Sequence, residues 1–176
     1  DEVEELTERL KRVLEDNRRT AEEVKERTRR VIDKVRRDYE ELEKRLKKIL
    51  KEIEDLSREN RTDSRELEKT VREVEKELRR EDKRLKDEID RVREENEDMN
   101  KKSRDHVEEV ARELEKRGID EDTVRRLIKE AKDDNDRMEE ENRRLIRELE
   151  EVSKRAHKRL RELIRRIEEL LRREET

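Results

Sequence analysis

The sequence predicts an all-α protein: an elongated antiparallel three-helix bundle, coiled-coil-like, in up-down-up order. Residues 2–60, 64–117 and 121–175 each carry one narrow apolar stripe at steps of three and four, which is the spacing of a single helical face. The two connections between these stretches are short and rich in capping residues. Hydrophobic residues make up 26% of the 176-residue chain against 62% charged, close to the share of about 29% that two seam positions in seven require. Such polarity without a period would read as disorder; with the period it reads as a thin core within one domain, residues 1–176.

The first stripe runs Val3, Leu6, Leu10, Val13, Asn17, Thr20, Val24, Thr28, Val31, Val35, Tyr39, Leu42, Leu46, Ile49, Ile53, Leu56 and Asn60. Between Asn17 and Tyr39 its steps repeat 3-4-4, an eleven-residue spacing that drifts opposite to the sevenfold spacing of its flanks and predicts a nearly straight middle. In the connection ENRTDSREL, Asp63 is the expected N-cap of the second helix, with Glu66 as its capping-box partner.

The second stripe contains Leu67, Val71, Val74, Leu78, Asp82, Leu85, Ile89, Val92, Asn96, Met99, Ser103, His106, Val110 and Leu114. Then comes KRGIDEDTV. Gly118, the only glycine, suits the left-handed residue that closes a helix, and Asp120 suits the next N-cap. Ile119 and Val124 stand at the two positions of a hydrophobic staple.

The third stripe contains Val124, Leu127, Ala131, Asn135, Met138, Asn142, Leu145, Leu149, Val152, Ala156, Leu160, Leu163, Ile167 and Leu170. Side positions such as Leu14, Ile32, Leu50, Ile128, Ile146 and Leu171 either widen the core face or offer a second stripe for assembly. Connections of only a few residues force neighbouring helices antiparallel.

Antiparallel geometry with equal rise per residue aligns the polar interruptions by height. Asn17 and Thr20 come level with Ser103 and His106, with Asn135 nearby. Thr28 comes level with Asn96, near Asn142. Tyr39 falls within about a turn of Asp82, Ser153 and His157. A buried polar group without a partner costs about 1–3 kcal/mol, so grouping at shared heights implies mutual hydrogen bonding. Satisfied layers of this kind fix register and helix order.

Equal idealised helices, minimal loops, a surface of Glu, Lys, Arg and Asp, no proline, and layers such as Asn17/Thr20/Ser103/His106/Asn135 resemble a de novo designed helical bundle with built-in hydrogen-bond networks. The resemblance spans the whole chain and is one of style, with no family motif to align. It implies a structural scaffold with no evolved substrate. The surface departs from it, holding more Arg and Asp than helix propensity alone selects.

Other function classes lack their parts. Lys plus Arg is 53 and Asp plus Glu 57, mixed along the chain, so no basic stripe or aromatic platform for nucleic acid emerges. Ser153, His157 and Asp82 include the residue types of a hydrolytic triad, but a packed seam offers neither cleft nor oxyanion hole. His106 and His157 stand roughly 40 Å apart at helical rise, and neither lies in a metal-binding spacing. Neither a catalytic residue nor a cofactor or metal site is therefore expected. His106, among Asn, Ser and Thr, should resist protonation, whereas His157 near Asp82 should favour it. The segment KRLRELIRRIEELLRRE is basic and amphipathic, but its apolar face continues the core seam, so no membrane contact is expected. Without a long apolar run or a secretory or lipidation motif, the chain is expected to be soluble, and cytoplasmic on recombinant expression. No partner is required: a monomer is expected, with self-association or a designed helical partner, a coiled-coil assembly module, or a spectrin-like spacer as alternatives.

Overall fold

Glu, Lys, Arg and Leu, all strong helix formers, dominate the chain, and no proline interrupts it. The computed structural model describes residues 2–59, 65–119 and 121–175. They form three long helices: α1 (Glu2–Arg58), α2 (Arg65–Lys116) and α3 (Asp122–Glu175). No strand occurs among the described residues. Each helix complements its own macrodipole. Glu2, Glu4 and Glu5 open α1 and Arg58 closes it; Glu66 and Glu68 open α2 and Lys116 closes it; Asp122 opens α3 and Arg172 and Arg173 close it.

The expected caps Asp63 and Asp120 lie outside the described residues. Glu66 occupies the exposed first turn of α2, where its carbonyl accepts the Thr70 hydroxyl. The end of α2 is described in full. Gly118 has φ +69°, and its N–H donates to the Glu115 carbonyl while the Ile119 N–H donates to the Leu114 carbonyl, both at 3.0 Å. This pair of bonds is a Schellman motif, which satisfies carbonyls that the helix end would otherwise leave open. Ile119 packs on a core cluster containing Leu114 and Val124, so the turn is held by burial as well as by backbone bonds.

The described chain divides into two compact units, each drawing on all three helices. The first comprises residues 1–30 and 90–147, the second residues 31–89 and 148–176. In the first, Arg9 pairs with Glu113 and Arg27 with Glu95, so α1 and α2 run antiparallel; Arg18 with Asp134 and Lys25 with Glu141 set α1 and α3 parallel. Its apolar core is a cluster of Leu6, Leu10, Leu14, Val107, Val110, Leu114, Val124 and Ala131, followed by a smaller one of Ala21, Val24 and Met99.

In the second unit, Lys34–Glu88 and Arg45–Glu77 give the same antiparallel sense for α1 and α2, and Arg36–Glu148 the parallel sense for α1 and α3. Leu46, Leu78, Leu149, Leu160 and Ile167 are almost fully enclosed there. Of the side positions, Leu14, Ile32, Ile146 and Leu171 are buried and Leu50 and Ile128 are half-buried. Among the described residues no large hydrophobic side chain is exposed. Among the described residues, these positions widen the core face.

Candidate functional site

The polar residues enclosed by the helices form the candidate site, and in the first unit they sit in a stretch of weak apolar packing. Across residues 131–142, α3 offers the core only Ala131 and Met138 as apolar side chains. Asn17 reaches across from α1: its amide donates to the Ser103 carbonyl of α2 at 3.2 Å and to Asn135 Oδ1 of α3 at 3.4 Å. Three helices thus meet at one asparagine.

Thr20 and His106, expected inside this layer, are instead exposed. The Thr20 hydroxyl donates to the Asp16 carbonyl of its own helix. Both residues line a groove of about 370 Å³ whose lining also includes Asn17 and Ser103, so their height matches the layer but their face does not. Their sequence neighbours Ala21 and Val107 take the inward positions. One helical residue turns about 100°, and apolar burial without a hydrogen-bond debt decides between adjacent candidates. Exposed on that groove, His106 stands outside the layer of Asn, Ser and Thr expected around it.

Two carboxylates that sequence reasoning leaves on the surface are buried beside Asn135. Asp134 is 3% exposed and Glu139 5%. Asp134 pairs with Arg18 of α1 and with Arg137 of its own helix; Glu139 pairs with Arg104 of α2 and with Arg143 of its own helix. One carboxylate therefore ties α3 to α1 and the other ties α3 to α2. Two guanidiniums each supply the charge and donors that a buried carboxylate needs. The sequence signal was the shortage of apolar residues in KDDNDRMEEEN, which obliges some of its acids to turn inward.

Farther along, Thr28, Asn96 and Asn142 are all buried. Thr28 donates back to the Val24 carbonyl. Asn96 Oδ1 and Asn142 Nδ2 have no hydrogen-bond partner.

The second unit holds a chain of polar contacts. The Tyr39 hydroxyl donates to Asp82 Oδ1 at 2.6 Å, and Ser153 donates to the Tyr39 oxygen. His157 Nδ1 lies 2.8 Å from Asp82 Oδ2. The order Ser153, Tyr39, Asp82, His157 keeps the serine at the opposite end from the imidazole, so the arrangement is not a hydrolytic triad. Tyr39 is buried, whereas Asp82, Ser153 and His157 are half-buried. Burial, reinforced by the adjacent Asp82 carboxylate, pushes the Tyr39 phenol well above its ordinary range.

Two further acidic contacts lie in the same unit. Burial and a hydrogen bond to Glu168 push the Glu75 carboxyl up, against Arg79 and Arg161. Burial also pushes Glu81 up, assisted by Asp38 and opposed by Arg84, which bridges both carboxylates.

Among the described residues, no group of three or more His, Cys, Asp or Glu could hold a metal ion, and no helix is long and apolar enough to cross a membrane. The geometry defines an all-α protein with three helices joined by polar and ionic layers.

No family model matches the chain, and no curated protein matches it. Among solved structures it is similar to a computationally designed three-helix bundle, at 17% identity and a TM-score of 0.48, over 97% of this chain and 90% of that one.

Proposed function

We propose that this chain is a designed structural scaffold, acting as one three-helix domain over residues 1–176, in which the polar core sets helix register and pairing. The observation that carries the reading is the layer at Asn17. One side chain bonds to both other helices, and the Asp134 and Glu139 clamps engage the same two helices beside it. Hydrogen-bonded layers penalise every slipped register, because a slip strands their donors and acceptors in an apolar seam. The proline-free sequence, the single glycine placed at a helix end and the near-equal helix lengths support a designed origin.

The reading makes the protein a monomer with no required partner, nucleic acid or membrane. Size exclusion with light scattering on the wild type and on an Asn17→Leu/Asn135→Leu variant tests both points. The wild type should elute as one species near 22.0 kDa, and the variant should retain helicity but spread over several masses. A wild type that runs as a defined multiple would favour an assembly module instead. A variant that stays a single monomer with unchanged helix pairing would remove the specificity role.

A further inference from the structure

The chain has two histidines, His106 and His157, and they are held in different ways. His106 is exposed on α2. His157 on α3 is anchored: its Nδ1 lies 2.8 Å from Asp82 Oδ2. Asp82 is itself held by the Tyr39 hydroxyl on its other oxygen, and Tyr39 by Ser153. When the ring is neutral, a carboxylate on Nδ1 selects the tautomer with its proton on that nitrogen, so the lone pair resides on Nε2. The His157 side chain is 39% exposed, enough to admit a small reagent. Lys154 and Arg161 lie one helical turn to either side along the sequence.

We propose that His157 is an acylation site, an imidazole nucleophile positioned by Asp82 that takes acyl groups from small activated esters and anhydrides. With diethyl pyrocarbonate, the Nε2 lone pair attacks a carbonyl carbon. The new C–N bond forms as the C–O bond to the bridging oxygen breaks, and ethyl carbonate leaves, then decomposes to carbon dioxide and ethanol. The ring carries a positive charge that faces the Asp82 carboxylate until the Nδ1 proton passes by way of Oδ2 to water. No electrons change hands. Asp82 is a positioning residue here: it fixes the tautomer and offsets the charge that develops on the ring, as a carboxylate does for a base histidine.

The test is competitive labelling of the intact protein with diethyl pyrocarbonate near neutral pH, the two histidine peptides being followed by mass spectrometry. His157 should be modified several-fold faster than His106 despite its lower exposure, because a carboxylate on Nδ1 raises the basicity of Nε2. Asp82→Asn should bring the His157 rate down to that of His106 and leave His106 unchanged. Tyr39→Phe, which leaves Asp82 in place, should keep His157 the faster of the two. Equal rates in the wild type, or a faster His106, would overturn the proposal. So would an Asp82→Asn variant that remains folded by circular dichroism and retains the wild-type ratio. The wild-type ratio decides by itself if that variant fails to fold.

Discussion

Asn96 and Asn142 bury complementary atoms without using them: Asn96 Oδ1 is an acceptor and Asn142 Nδ2 a donor, and both are enclosed without a hydrogen-bond partner. The two residues are 3% exposed, so the missing bonds are not made up by bulk solvent. Each such atom costs about 1–3 kcal/mol.

Replacing both residues by leucine, which has nearly the same shape, should therefore raise stability by about 2–4 kcal/mol in urea denaturation, since both penalties vanish and apolar area is gained. Asn17→Leu should act in the opposite direction, costing about 1–3 kcal/mol, because Asn135 Oδ1 loses the donor that Asn17 supplies. Two variants, both built from Asn→Leu changes, with opposite signs would separate the satisfied layer from the unsatisfied one.

The Arg18–Asp134 clamp predicts a similar asymmetry. Arg18→Met should destabilise by about 1–2 kcal/mol, less than a fully buried pair would lose, because Arg18 is half-exposed and Arg137 still serves the carboxylate. Asp134→Leu should be neutral or stabilising, since the buried charge goes with its partner bonds. A double-mutant cycle read by chemical denaturation checks both signs.

Acid should strengthen the contact between Glu75 and Glu168. The folded-state value of Glu75 is raised above its ordinary 4.5 by burial and by sharing a hydrogen bond with Glu168. A carboxyl shifted in that direction contributes stability that is complete below the unfolded value and is lost as pH rises through the folded one. On lowering the pH from neutral toward that range, this contact should gain, and Glu75→Gln should raise the thermal midpoint at neutral pH while flattening its pH dependence. A midpoint unchanged by the substitution at neutral pH would show that Arg79 and Arg161 already neutralise the pair.

Tyr39 is the only aromatic residue in the chain, so its phenolate absorbance can be read without background from others. Burial and Asp82 hold the phenol up, hence the folded protein should stay unionised through the range where free tyrosine titrates, near 10.0. The neutral form contributes stability below that value, lost as pH rises toward the raised one. Absorbance should appear in one step with loss of helicity. A smooth titration near the ordinary value, with helicity intact, would mean that the hydroxyl is not enclosed.

Much of this was legible because helical period and loop chemistry are local. The seam residues Leu10, Leu46, Leu78, Leu114 and Ile167 follow from steps of three and four, and the Gly118 turn follows from its lone glycine and the apolar Ile119 behind it. The grouping of Tyr39, Asp82, Ser153 and His157 follows from equal rise along antiparallel helices. Thr20 and His106 were misplaced because height does not determine face: each competes with an adjacent residue, Ala21 or Val107, that buries at no polar cost. Asp134 and Glu139 were missed for another reason. Their burial depends on arginines from other helices, Arg18 and Arg104, and no period in one stretch reveals a partner in another.

The sparse apolar content of α3 between Ala131 and Asn142 bears on how the protein opens. Backbone amides exchange with solvent through local fluctuations whose cost rises with the apolar area they expose. Around Leu149, Leu160 and Ile167, nearly complete burial of large side chains makes each opening costly. Around Asn135 and Met138, an opening exposes mostly polar groups that water accepts readily. In deuterium exchange, amides of one unbroken helix should therefore become labelled at two rates, first at residues 131–142 and later at 149–167, so that α3 breathes in its polar stretch while its apolar stretch stays closed.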